Sequence, residues 1–161
     1  MKCEMQNIKI LVWLPSPMGD AILCTPALRA IREKYASSEI AFLSNPTVRR
    51  ILSPCQFNDN WLEYDNMSPI AIAKKLREHK FSHAILFKNS FASALAIYLA
   101  RIPSRTGYSR EMRSYFLTEK IYPEKLANGK YKPLSMVDYY LGIAPKTGAD
   151  ISNKKTELTV D

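Results

Sequence analysis

The 161-residue chain predicts a single α/β domain built as a doubly wound parallel sheet. Three observations carry that expectation. Apolar stretches of strand length alternate with stretches of helical period along most of the sequence. The first of them, Ile8–Leu14, is nearly continuous in its apolar residues, as in a strand covered on both faces. Several helices announce themselves by a capping residue followed by proline.

The elements follow in order. After Ile8–Leu14 comes PSPMGDAILCTPALRAIREKY, a turn and then a helix, in which Cys24, Ala27, Leu28, Ile31 and Tyr35 recur on one side and Arg29, Arg32 and Glu33 on the other. Glu39–Leu43 reads as the second strand, and Asn45-Pro46 opens a helix reaching Leu52. Trp61–Tyr64 is a third strand. Ser68-Pro69 opens a helix to about His79 with Ile70, Ala73 and Leu76 on its apolar side. Ser82–Phe87 is the fourth strand, Ser90–Ala100 a mostly apolar helix, and Pro103–Tyr108 a short strand and turn. Residues 109–132 are irregular and basic, Pro133–Leu141 closes the series as a helix, and the polar tail from Pro145 reads as a linker.

Bulk properties narrow the function. Lys and Arg number 23 against 15 Asp and Glu, a net charge of +8, which favours an anionic partner or a basic face. Nucleic acid, anionic lipid headgroups and phosphorylated sugars all satisfy that. The basic residues form no dense run, and neither an RNA-binding aromatic motif nor a helix-turn-helix is present. No apolar run reaches the roughly 18 residues that span a bilayer, and the N-terminus carries no apolar signal-peptide core. Cys3, Cys24 and Cys55 have no CxxC spacing and read as free thiols of a reducing compartment. His79 and His83 lie four apart, but a helix end and a strand start fall between them, which argues against a metal pair.

Ligands of such sheets gather at the carboxyl ends of the strands. Three segments meet there: Pro15–Asp20, Lys88-Asn89-Ser90 and the run from Arg105 onward. Each reads two ways. Asp20 is either the N-cap of its helix or a general base presented at the crevice, and Thr25-Pro26 offers a second helix start that conflicts with the first. Arg105, Arg110 and Arg113, with Thr106, Tyr108 and Glu111, are either a solvated loop or an anion clamp. Asn89 and Ser90 are either a helix cap or contacts to a sugar.

Two stretches resemble one known family. MGDAILCTPALRAIREKY resembles the N-terminal signature of the ADP-heptose:lipopolysaccharide heptosyltransferases, glycosyltransferase family 9. FKNSFASALAIYLARIPSRTGYSREMRSYFLTEKI resembles the heptosyltransferase II branch, and the likeness extends over residues 8–143. The resemblance implies a Rossmann-like domain, the N-terminal half of a GT-B enzyme, with residues 1–144 holding the acceptor and 145–161 linking to a donor-binding domain outside this chain. It implies metal-independent, inverting transfer of heptose from ADP-heptose, the donor substrate, to the inner core of lipopolysaccharide, with no cofactor. The position matching Asp20 supplies the base, and Met18, Gly19, Asn89, Ser90, Arg105, Thr106, Arg110, Glu111 and Arg113 fall on the acceptor side. The implied place is the cytoplasm, peripheral to the inner membrane, and nucleic acid is not an expected partner. The chain departs from the family in its length, about half of a full enzyme, and in Ser16-Pro17, which stiffens the first loop. The rival reading from another class is a sugar- or phosphate-binding domain without catalysis, in which Asp20 is only a cap.

Overall fold

A computed structural model describes residues 8–110 and 112–158. Its strands are β1 (Lys9–Trp13), β2 (Glu39–Ser44), β3 (Asn60–Glu63), β4 (His83–Leu86), β5 (Ser104–Tyr108) and β6 (Glu119–Ile121). All pair in parallel in the order β3-β2-β1-β4-β5-β6. This is the doubly wound arrangement the sequence predicts, and its strand order reverses between β1 and β4.

Period-two alternation along the strands feeds two cores, one on each face of the sheet. Ile10, Val12, Phe42, Ile85 and Phe87 point to one face, against Ala21, Leu28, Ile31 and Val48. Leu11, Trp13, Leu43 and Leu86 point to the other, against Ile72, Leu76, Ala94 and Ile97. Ile10 to Leu14 are all at most 2% exposed, which is why that stretch carries no polar alternation.

The helices on the first face are α1 (Met18–Leu23), α2 (Thr25–Lys34), α3 (Pro46–Leu52) and α6 (Met136–Leu141), and on the second α4 (Pro69–Arg77) and α5 (Phe91–Leu99). Three predicted caps form: Asn45 accepts from the Val48 amide at 2.8 Å, Ser68 from Ala71 at 3.2 Å and Ser90 from Ser93 at 3.1 Å. Each satisfies an amide that the first helical turn otherwise leaves unpaired.

Both competing helix starts near Asp20 are used. Pro26 has no N–H to give the Ile22 carbonyl, so the helix breaks at Cys24. Thr25 Oγ1 donates to that carbonyl at 2.8 Å, while the Cys24 carbonyl accepts from Leu28 at 3.0 Å and starts α2. Cys24 is fully buried, and its Sγ donates to the Ala21 carbonyl at 2.9 Å. Burial raises the pKa of both the Cys24 and the Cys55 thiols, so each is held protonated.

Residues 109–132 contain more order than expected: a 3₁₀ turn at Arg113–Phe116, strand β6, and a hairpin bridged between Lys125 and Tyr131. The predicted last helix is shorter, Met136–Leu141, with Ser135 as its cap, and α7 (Ala144–Thr147) follows at once. The polar tail lies along α2. Arg29 pairs with Glu157 at 2.7 Å, and Thr25 Oγ1 accepts from the Glu157 amide at 2.9 Å. No helix of the described residues is long and apolar enough to cross a membrane.

Candidate active site

A cavity of about 330 Å³ opens at the carboxyl ends of β1 and β4, at the point where the strand order reverses. Crevices of doubly wound sheets take their ligands there. One wall is the first loop with Ser16, Pro17 and Asp20, a second is Lys88, Asn89 and Ser90, and the third is Arg110 with Met136, Tyr139 and Tyr140 from α6.

Asp20 does not cap its helix. The residue before α1 is Pro17, no side chain accepts from the first turn, and Asp20 stands third in the helix. Its carboxylate instead meets the Tyr140 hydroxyl. Burial first, and the Asp20 charge and hydrogen bond second, push the Tyr140 phenol well above its ordinary value. The phenol therefore stays protonated beside Asp20. The half-buried Asp20 thus lines the cavity beside α6.

The second wall is held rigidly. The Lys88 carbonyl accepts from Arg113 Nη1 at 2.9 Å and from Ser93 Oγ at 3.1 Å. The Lys88 ammonium donates to Ser16 Oγ and lies 5.6 Å from the centre of the Tyr64 ring. Burial opposes ionisation of Tyr64, but its hydrogen bond to Ser16 and the nearby Lys88 charge outweigh that and lower its pKa. These two contacts hold the Lys88 side chain in the cavity wall. Asn89 Nδ2 donates to the Tyr139 hydroxyl at 2.5 Å, and Asn89 Oδ1 is buried and accepts from no described residue.

On the third wall, Arg110 Nη1 donates to the Tyr139 hydroxyl at 3.3 Å, and its guanidinium lies 4.7 Å from the centre of the Tyr131 ring. The bond to Tyr139 raises the Arg110 pKa further, so the group is permanently charged. The Tyr139 ring stacks on Tyr108 at 4.2 Å, and the Tyr108 hydroxyl donates to the Tyr139 carbonyl at 2.5 Å. Burial, with the neighbouring Tyr139, pushes the Tyr108 phenol up to about 12. This stack fixes α6 against β5.

The structure thus brings Asp20, Asn89, Ser90 and Arg110 together and separates the rest of the expected clamp. Arg105 lies near the amino end of β5, donates to the Phe116 carbonyl at 2.5 Å and the Ile102 carbonyl at 2.6 Å, and packs over Tyr98. Thr106 is buried in the middle of β5 and lines a different cavity with Ile10, His83 and Thr147. Arg113 is fully buried beneath the loop and serves the Lys88 carbonyl. The three arginines do not share this cavity, because Arg105 stands near the amino end of β5 and the turn after β5 sends Arg113 inward. Glu111 lies outside the described residues. His79 stacks on Phe81 beyond α4, and His83 bonds Ser82 at the start of β4.

Met18 and Gly19 are exposed in the first turn of α1 and do not line the cavity. Gly19 is helical, with no atom within 4 Å of where a Cβ would stand. The turn does not require a glycine. Gly19→Ala is expected to raise stability by about 0.5–1 kcal/mol, read from the urea midpoint, through helix propensity. A fall in stability would show a steric constraint there.

Sequence reading placed Ser16 and Lys88 in segments at the strand ends without giving them a role, and missed Tyr139 and Tyr140. The quoted motif FKNS contains Lys88, but only the fold shows its ammonium turned toward the first loop.

Residues 70–159 match the model of glycosyltransferase family 9 (heptosyltransferase), a range that includes the Lys88–Arg113 side of the cavity. The chain is 31% identical over 150 residues to lipopolysaccharide heptosyltransferase 2 of Escherichia coli strain K12, covering 88% of this chain and 41% of that protein. The fold superposes on a family 9 glycosyl transferase from Veillonella parvula with a TM-score of 0.81 at 20% identity, covering 98% of this chain and 47% of that one. It superposes on E. coli ADP-heptose LPS heptosyltransferase II with a TM-score of 0.69 at 27% identity, over 85% of this chain and 40% of that one. The chain spans about two fifths of the length of the curated relatives it matches. With more than half of its residues inside the family match, the chain belongs to glycosyltransferase family 9, the heptosyltransferases.

Proposed function

We propose that this chain is the acceptor-binding half of an inverting GT-B heptosyltransferase, moving heptose from ADP-heptose to an inner-core sugar of lipopolysaccharide, with Asp20 as the general base. The observation that carries the reading is the sharing of one cavity by a carboxylate, Asp20, and two cations, Lys88 and Arg110. A carboxylate at the head of the first crossover repels a nucleotide diphosphate, whereas the flanking cations suit an acidic or phosphorylated sugar whose hydroxyl comes to Asp20.

In this reading Asp20 takes the proton of the acceptor hydroxyl as its oxygen attacks the anomeric carbon. The bond from that carbon to the ADP oxygen breaks on the opposite face, ADP leaves with the electron pair, and the configuration inverts. Tyr140 and Asn89 line the same cavity as the carboxylate and bound the space left for the acceptor. The donor binds on the part of the relatives' length that this chain does not span. A net charge of +8 suits work at an anionic membrane surface on the cytoplasmic side, where the lipid-borne acceptor is presented.

The test is initial-rate kinetics of the complete transferase with Lys88→Met. Loss of a charge-assisted contact is expected to raise the acceptor KM about 10- to 100-fold and leave the donor KM unchanged. An increase confined to the donor KM would contradict the assignment.

A further inference from the structure

The face of the sheet covered by α4 and α5 carries an aromatic cluster with no part in the chemistry at Asp20. Phe91 and Tyr98 of α5 and Tyr115 and Phe116 of the 3₁₀ turn form one contiguous layer. Their ring centres are 5.3 Å apart for Phe91 and Phe116, 5.1 Å for Tyr98 and Phe116, and 5.4 Å for Tyr115 and Phe116. Phe91 and Tyr98 are exposed at its edges, and Tyr115 is 76% exposed. Next to Arg113 in the chain, Met112 is 88% exposed on a left-handed backbone, with a φ of +60° that few non-glycine residues adopt. Single exposed apolar residues are ordinary, but a contiguous patch of large ones marks a contact surface.

The same face is basic. Residues 67–117 hold nine Lys and Arg against two Glu, in a chain whose whole net charge is +8. Lys74, Arg77, Lys80 and Arg101 are exposed, and Glu78 is the one acid among the described residues of that stretch. Arg77 donates to the Leu99 carbonyl at 2.6 and 2.9 Å, which brings its charge to the end of α5. The Arg105 guanidinium lies 5.4 Å from the centre of the Tyr98 ring. Exposed Ile70 stands on the same side of α4 as Lys74 and Arg77 by its spacing. Aromatic rings settle at the headgroup level of a bilayer, and cations around them are drawn to anionic lipid. A symmetric contact with a second copy would instead set like charges against each other.

We infer that the outer face of α4, α5 and the 3₁₀ turn is the surface by which this chain docks on an anionic lipid bilayer, with Phe91, Tyr98, Met112 and Tyr115 entering the headgroup layer. Phe91 directly follows Ser90, which lines the cavity, so docking sets the lip of that cavity at the lipid surface. The assignment rests on the proposed presentation of the acceptor at a membrane surface and not on the role of Asp20.

The experiment is co-sedimentation of the 161-residue chain with vesicles of phosphatidylcholine alone and of phosphatidylcholine with phosphatidylglycerol at about 3:1. The wild type is expected to partition onto the anionic vesicles at least about tenfold more strongly. The double substitution Met112→Ser, Tyr115→Ser, at exposed positions, is expected to lower that partitioning about tenfold. Arg101→Glu is expected to lower it about five- to tenfold on the anionic vesicles. Anionic-vesicle binding that survives all three substitutions overturns the docking face and leaves the membrane reading standing. Failure of the wild type to bind either vesicle overturns both. A dimer in sedimentation velocity that Tyr115→Ser dissociates would give the face to a second copy and overturn the docking.

Discussion

Asp20→Asn in the complete transferase is expected to lower heptose transfer by about 10²- to 10⁴-fold, the usual contribution of a positioned base. The substitution keeps the shape of the side chain beside Tyr140 and removes its charge. It removes no helix cap, because Asp20 stands third in α1 behind Pro17. The lost interaction of its charge with the positive end of the helix is worth about 0.3–1 kcal/mol, too little to unfold the domain. A large loss of transfer with an unchanged melting curve is thus a chemical loss. Transfer within twofold of the wild type would remove Asp20 from the reaction.

Phe87→Ala is expected to lower stability by about 3–5 kcal/mol. Phe87 is 1% exposed at the end of β4, its ring centre is 5.8 Å from that of Tyr140, and it lines the cavity directly before Lys88. Truncation leaves a hole that the sheet and α6 cannot both collapse into, since α6 is tied to β5 by the Tyr108–Tyr139 stack. Domains of this size have about 5–15 kcal/mol in total, so the urea midpoint falls steeply. Acceptor binding weakens as well, because Tyr140 loses the ring it rests on. A cost below about 1 kcal/mol would show that the core relaxes around the site.

Much of this was legible in the sequence wherever the cause is local. The apolar run Ile8–Leu14 can be satisfied only inside a covered sheet, and Asn45, Ser68 and Ser90 cap helices with hydroxyl or amide groups that touch amides three residues on. The α1–α2 junction was visible as a conflict, and the fold keeps both starts by giving the Ile22 carbonyl to Thr25. β6 escaped because three residues, Glu119–Ile121, carry no readable period and pair only through β5.

The site was legible in part for the same reason. Asp20, Asn89, Ser90 and Arg110 follow strand ends, where topology alone sends them to the crevice. Direction within an irregular run is a tertiary outcome, so Arg110 and the buried Arg113 look alike in sequence. Tyr140 lies 120 positions from Asp20 and meets it only because α6 packs beside α1.

The central claim is that this half of the molecule holds the acceptor and not the nucleotide. The most direct measurement is amide chemical-shift mapping of the isotope-labelled chain, titrated with de-acylated inner-core saccharide and separately with ADP-heptose. The saccharide is expected to move the amides of Asp20, Asn89, Ser90, Arg110 and Tyr139, and ADP-heptose to leave them in place. Shifts of those amides with ADP-heptose and none with the saccharide would contradict the account.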